Sequence, residues 1–167
     1  QGEPSNVQAI QNAARAYVYG FEFGMEAFLS DHWSLSSNLT ITEGIEEEAN
    51  GTDTPARHAA PTFGDFHVTW KNQKLRASIF LNYNGEIAFN DLAVTEISKD
   101  FMYAADRNGN PYSPSWYTLN FRSQYTFGKN LITTLNLENI TNQRYRTYSS
   151  GISAPGINLI LGVAYSF

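Results

Sequence analysis

At 167 residues, with a formal net charge of −5 and a pI near 5.1, the chain has the wrong charge balance for a nucleic-acid partner. It contains no cysteine, which excludes a disulfide framework and thiolate metal sites. Aromatic residues reach 14%, and no run approaches the roughly 18 apolar residues of a membrane helix, a test that barrel strands evade because alternate residues face the lumen.

Residues 1–14 read as a loop. No leader segment is read there, so a secreted chain is expected in mature or partial form. From 15 to 29 the chain alternates, with Tyr17, Tyr19, Phe21, Phe23, Met25, Ala27 and Leu29 on one side and Val18, Gly20, Glu22, Gly24, Glu26 and Phe28 on the other. A period of two is the mark of a strand with unlike faces. The same pattern predicts strands at 33–43, 65–70, 74–84, 116–127, 131–138 and 155–167, seven in all. The last is the clearest. Ile157, Leu159, Leu161, Val163, Tyr165 and Phe167 alternate with small or polar residues, Ile160 excepted.

Three-residue turns join these strands at 30–32, 71–73 and 128–130, and long connections lie between, at 44–64, 85–115 and 139–154. Short and long alternate without exception, as in outer-membrane barrels with short periplasmic turns and long extracellular loops. The charged strand residues Glu22, Glu26, Arg76, Arg122 and Glu138 all fall on the less apolar side. Aromatics cluster at both strand ends, Trp33, Trp70, Tyr125 and Phe127 beside the turns and Tyr17, Tyr83 and Tyr117 opposite, as interfacial belts do. The predicted class is therefore all-β, a transmembrane antiparallel barrel segment. Seven strands are an odd number, and an open sheet leaves unpaired edges in lipid, so a larger barrel is expected, with its opening strands elsewhere.

In this order and spacing, several segments resemble one family, the TonB-dependent transporters of Gram-negative outer membranes, particularly their Bacteroidetes members. They are Tyr19-Gly20-Phe21-Glu22, Ala60-Pro61-Thr62-Phe63-Gly64, Ser113-Pro114-Ser115-Trp116-Tyr117-Thr118-Leu119-Asn120, Leu137-Glu138-Asn139-Ile140-Thr141-Asn142-Gln143-Arg144-Tyr145-Arg146 and Ser150-Gly151-Ile152-Ser153-Ala154-Pro155-Gly156. The terminal Phe167, with Tyr165 and Val163, resembles the insertion signal read by the barrel-assembly machinery. Ile157 and Leu159 depart from the Arg and Phe common in the family, both on the lipid-facing side. The resemblance implies a 22-stranded barrel with a plug absent from this chain, and TonB, lipid and the insertion machinery as partners. A surface lipoprotein is a further partner the resemblance allows.

The bland reading is favoured at most candidate sites. Glu46-Glu47-Glu48 with Asp53 reads as a solvated loop rather than a cation site. Asp106-Arg107-Asn108-Gly109-Asn110 reads as a turn. His32, His58 and His67 are scattered, so no metal or cofactor is assigned. No nucleophile motif supports an enzyme. The five strand charges are expected to pair with one another or with a plug. Arg144 and Arg146 beside Tyr145 and Tyr148 offer a place for an anionic ligand at the outer mouth, but the resemblance makes this segment a strand-to-loop junction, so packing is favoured. Ligand contacts are expected first in the 85–115 loop, at Phe101, Tyr103, Arg107 and Tyr112. The function implied by the resemblance is energised import of a scarce nutrient of the ferric-siderophore, haem or cobalamin class. A glycan or peptide importer working with a surface lipoprotein is the alternative within the family. A passive porin, an outer-membrane enzyme and a soluble lectin-like sandwich stand outside it.

Overall fold

The structure, a computed structural model, describes residues 15–48 and 50–167. The expected loop over 1–14 lies outside the described residues. Seven long strands form one antiparallel sheet: β1 (Arg15–Phe28), β2 (Trp33–Glu47), β4 (Phe63–Lys71), β5 (Leu75–Asn84), β8 (Trp116–Phe127), β9 (Leu131–Glu138) and β10 (Asn158–Tyr165). A short β3 (Asp53–Pro55) pairs with β2, and β6 (Ala104–Ala105) with β7 (Pro111–Tyr112) makes a separate ribbon. Each long strand lies beside its neighbour in sequence, so β1 and β10 are the two edges among the described residues.

Local chemistry makes the turns short. Ser30 Oγ accepts from the amides of His32 and Trp33, and Asn72 Oδ1 from those of Lys74 and Leu75. Gly128 supplies the positive φ of 61° that closes β8 onto β9, a conformation costly for other residues.

Several boundaries differ from the pattern-based ones. β2 runs to Glu47 rather than residue 43, because Gly44 to Glu47 find partners on β1 and Ile45 to Glu47 also on β3. β4 opens at Phe63, opposite Asn84. β10 is shorter than 155–167: Pro155 has no amide to donate, and pairing stops where Tyr165 meets Leu131, the first residue of β9. The 85–115 connection is not featureless, for it carries a helical turn α1 (Val94–Ile97), two 3₁₀ turns and the β6–β7 ribbon.

The register aligns like with like on each face. Phe21 lies opposite Ile41, Phe23 opposite Leu39, Trp33 opposite Trp70, Val68 opposite Ile79, Ile79 opposite Phe121, and Leu161 opposite Leu135. One apolar face therefore runs unbroken across the sheet and is exposed, Phe21 at 65% and Val163 at 75%. A water-facing surface of that extent is foreign to soluble monomers, whereas a barrel wall turns it to lipid. The opposite face carries Thr69, Asn84, Thr118 and Asn120, all buried. Among the described residues the buried hydrophobic side chains are Ala56, Leu92 and Ala93. They belong to the connections at the long-loop end, so the compact core sits in a cap rather than in the sheet.

Candidate functional site

That cap is organised around one carboxylate. Glu96 in α1 is fully buried. Its Oε1 takes Arg57 Nε at 2.9 Å and Lys99 Nζ at 2.7 Å, and its Oε2 takes the Tyr103 hydroxyl at 2.7 Å and Ser149 Oγ at 3.4 Å. His58 Nε2 stands 4.0 Å from Oε1. These partners come from all three long connections, 48–62, 85–115 and 139–157. Burial pushes the carboxyl up, but the Lys99, Tyr103 and Arg57 donors outweigh it, leaving Glu96 lowered to about 2. Burial and then the Glu96 carboxylate push the Tyr103 phenol well above its ordinary range. The cluster is thus a charged latch with its negative centre held ionised.

A second set of contacts ties the last two connections together. Arg146 Nη1 donates to the carbonyls of Phe101 and Met102, at 3.1 and 3.3 Å. The rings of Trp116 and Tyr145 lie 4.1 Å apart, tilted 31°. Between these connections opens a cleft of about 350 Å³, lined among others by Met102, Tyr103, Trp116, Arg144, Tyr145 and Arg146.

Asn139 sets the path of the 139–157 segment. It is buried, with φ of 49°. Its amide Nδ2 donates to the carbonyls of Gln143 and Pro155, and its Oδ1 accepts from Gln143 N. Its own backbone amide donates to Asn120 Oδ1 at 2.9 Å. Asn142, with φ of 51°, accepts from Ile157 N at 3.1 Å. A Cβ at Gly156 would meet Asn142 Oδ1 at 2.5 Å, so a larger residue there would have to push the Asn142 side chain off the Ile157 amide.

On the polar face of the sheet a further hollow of about 440 Å³ lies among Ser36, His67, Phe80, Arg76, Arg122 and Gln124. His67 stacks on Phe80 at 4.8 Å and 7° and pairs with Asp65 Oδ1 at 3.0 Å. The Arg122 guanidinium covers the same Phe80 ring at 5.5 Å.

The strand charges sit on this polar face, but they do not pair with one another among the described residues. Glu22 and Glu26 lie on β1, three strands from Arg76 on β5. At about 4.8 Å per strand that gap exceeds side-chain reach. Arg122 faces Asn136 instead of an acid, and Glu138 accepts from Asn158 Nδ2 at 3.3 Å.

The four loop residues separate by role. Phe101 is 73% exposed. Tyr103 is held by Glu96. Arg107 is exposed at the tip of the β6–β7 turn, where Asp106 Oδ1 accepts from the amides of Asn108 and Asn110. Tyr112 is half-buried in β7. Val163, Tyr165 and Phe167 project from the sheet edge, the last two rings edge-on at 5.4 Å. Among the described residues no group of three or more acidic or His side chains converges on a metal position. Sequence reasoning did not single out Glu96, which is one of several charged residues between 85 and 100, and it met Asn139 only as part of the Leu137–Arg146 family segment.

The family model of the TonB dependent receptor-like β-barrel matches residues 1–142. Among solved structures the chain is similar to the copper transporter OprC, with TM-score 0.72 and 18% identity over 91% of this chain and 23% of that one. It is also similar to the siderophore receptor PiuA from Acinetobacter baumannii, with TM-score 0.60 and 20% identity over 90% of this chain and 22% of that one. The ferripyoverdine receptor of the outer membrane of Pseudomonas aeruginosa matches with TM-score 0.61 and 14% identity, over 91% and 20% of the respective chains. The chain thus spans under a quarter of the length of each of these structures. Members of the matched family are transporters, not enzymes. With its exposed apolar face, alternating turns and loops, and a family match over most of its length, the chain belongs to the TonB-dependent receptor-like β-barrel family of the Gram-negative outer membrane.

Proposed function

We propose that the whole protein is an energised importer of a scarce nutrient, of the ferric-siderophore, haem or cobalamin class. The single observation that carries this reading is the family match, joined to a wall whose long connections form an ordered cap over a polar inner face. Two of the similar structures are named as receptors, one for a siderophore and one for ferripyoverdine, which supports such a class, whereas the third is named as a copper transporter. On this reading β1, β2, β4, β5 and β8 to β10 are part of a barrel of about 22 strands, and the long connections are extracellular. Arg76 and Arg122, without carboxylate partners in this sheet, then face a plug carried elsewhere in the protein. TonB relays the energy that moves the plug. Phe101 and Arg107 are exposed side chains of the 85–115 loop and face incoming ligand, while Tyr103 and Tyr112 hold the loop's shape. Val163, Tyr165 and Phe167 serve membrane insertion.

The test is uptake of radiolabelled ferric chelates, haem and cobalamin by cells carrying the full-length gene, with and without TonB. Uptake of at least one that stops when TonB is deleted is expected. Diffusive uptake indifferent to TonB would replace this reading with that of a passive porin.

A further inference from the structure

We propose that the cap is a strained strap. Glu96 holds two turns in a backbone shape they would otherwise leave, so the three long connections open as one unit once that carboxylate is neutralised or displaced. Among the described residues, positive φ falls on Gly51, Gly109 and Gly128, on Asn139 and Asn142, and on His58 at 64° and Ser149 at 60°. Glycine enters that region freely and asparagine tolerates it. Serine does not, and histidine stands between the two. These two exceptions hold the same place in two similar turns. Ala59 N donates to the Ala56 carbonyl at 3.4 Å and Ser150 N to that of Thr147 at 3.1 Å, so His58 and Ser149 are each the third residue of four. Positive φ there calls for glycine or asparagine.

The local sequence therefore opposes the conformation it adopts. Such a residue persists only where its surroundings over-determine it, and the group both turns share is Glu96. Arg57, beside His58, gives its Nε to Oε1 at 2.9 Å, and Ser149 gives its Oγ to Oε2 at 3.4 Å. His58 Nε2 stands 4.0 Å from Oε1. The rings of Tyr148 and Tyr103 lie 6.3 Å apart, which brings the second turn against a further Glu96 partner. The 85–115 connection, which carries Glu96 itself, is left-handed only at Gly109, so the strain lies in the two arms and not in the catch. Because Glu96 is fully buried, it loses charge compensation when either arm leaves. One arm's departure weakens the hold on the other, and relaxation of both turns favours the open state. The rival cause is pinning of the flanks, where Ala56 N meets the Gly44 carbonyl and Ala154 N that of Tyr145, both at 2.9 Å. Pinned flanks would strain the turns with or without the Glu96 charge.

The experiment is amide hydrogen exchange on the purified full-length protein, comparing glycine with alanine at each strained position. Ser149→Gly and Ser149→Ala both lose the hydroxyl, so they differ in strain and in the greater freedom of glycine when the strap is open. The second effect opposes closure, so protection gained by glycine reports strain. Ser149→Gly is expected to exchange roughly fivefold more slowly than Ser149→Ala at Arg57–Ala59 and Lys99–Ala105, the lower end of such backbone strain. His58→Gly against His58→Ala is expected to do the same at Lys99–Ala105 and Tyr148–Ser150, by a smaller factor. In a Glu96→Gln background both differences should vanish at these remote segments. Equal or faster exchange of the glycine variants at those segments overturns the proposal. A difference that persists in the Glu96→Gln background overturns it too, since the pinned flanks and not the carboxylate then hold the strain. None of these outcomes bears on TonB-dependent uptake.

Discussion

Replacing Glu96 by Gln removes one charge and almost no volume, so it isolates the latch. The carboxylate is fully buried and receives donors at 2.7 to 2.9 Å from Arg57, Lys99 and Tyr103. Gln keeps one acceptor oxygen but turns the other position into a donor facing donors. Removing one member of a buried charged cluster can cost about 3–5 kcal/mol. Here Arg57 is half-exposed and Lys99 part-exposed, so water recovers some of that, leaving about 2 kcal/mol. The barrel wall does not depend on the latch, so the loss is local and is read by amide hydrogen exchange. Exchange about 30-fold faster is expected, at Arg57–Ala59, Lys99–Ala105 and Tyr148–Ser150 together. Acceleration confined to the 85–115 connection would refute the view that one carboxylate joins all three. The pH dependence supplies a second reading. Above about 4.5, the ordinary value, Glu96 is ionised whether the latch is closed or open. On acidification the open state takes the proton first, because the closed carboxyl holds out to about 2. Protection, corrected for intrinsic rates, should stay level above pH 4.5 and fall from there toward pH 2.

Three other outcomes follow from the geometry. Asn139→Ala loses three side-chain hydrogen bonds and leaves a Cβ-bearing residue at a φ of 49°. It should cost about 2–4 kcal/mol, seen as a lower unfolding midpoint, and Asn139→Gly should recover the backbone part alone. Gly64→Ala places a Cβ 2.4 Å from the Asn38 carbonyl oxygen, a backbone atom that cannot rotate away, so the β2–β4 pairing should weaken. Gly162→Ala, whose clash at 2.4 Å is with the side-chain Thr134 Oγ1, should be milder in the same refolding assay. Phe21→Arg, on the exposed apolar face, should cost about 2–4 kcal/mol near mid-bilayer, whereas Glu22→Gln on the other face should change folding into vesicles by less than about 1 kcal/mol; equal effects would argue against lipid on the Phe21 side.

Strand alternation is a local property, and the strands could be read from it because each residue's face depends only on its position modulo two. The terminal run of Ile157 to Phe167 shows this most clearly. Local chemistry also marked the short turns, at Ser30, Asn72 and Gly128. The strand ends were less legible. β2 runs past residue 43 because Gly44 to Glu47 have partners on β1 and Ile45 to Glu47 also on β3, which nothing in that stretch announces. The segment from Leu137 to Arg146 stood out as a family pattern, yet the role of Asn139 needed the Asn120 and Pro155 groups that meet it across the sheet.

The latch lay further from view. Glu96 sits in the unremarkable stretch Val94-Thr95-Glu96-Ile97, and its partners lie 3, 7, 39 and 53 residues away. Pairing of the strand charges was a reasonable expectation from parity alone, but parity fixes a face and not a distance across strands. The amino-acid order by itself determined the all-β class, the two unlike faces and the alternation of turns and loops, since these arise from neighbours along the chain. Only the tertiary structure decided which loop residues are committed to one another, as Glu96 is to Arg57, Lys99 and Tyr103. That is settled by burial and contacts between segments far apart in sequence.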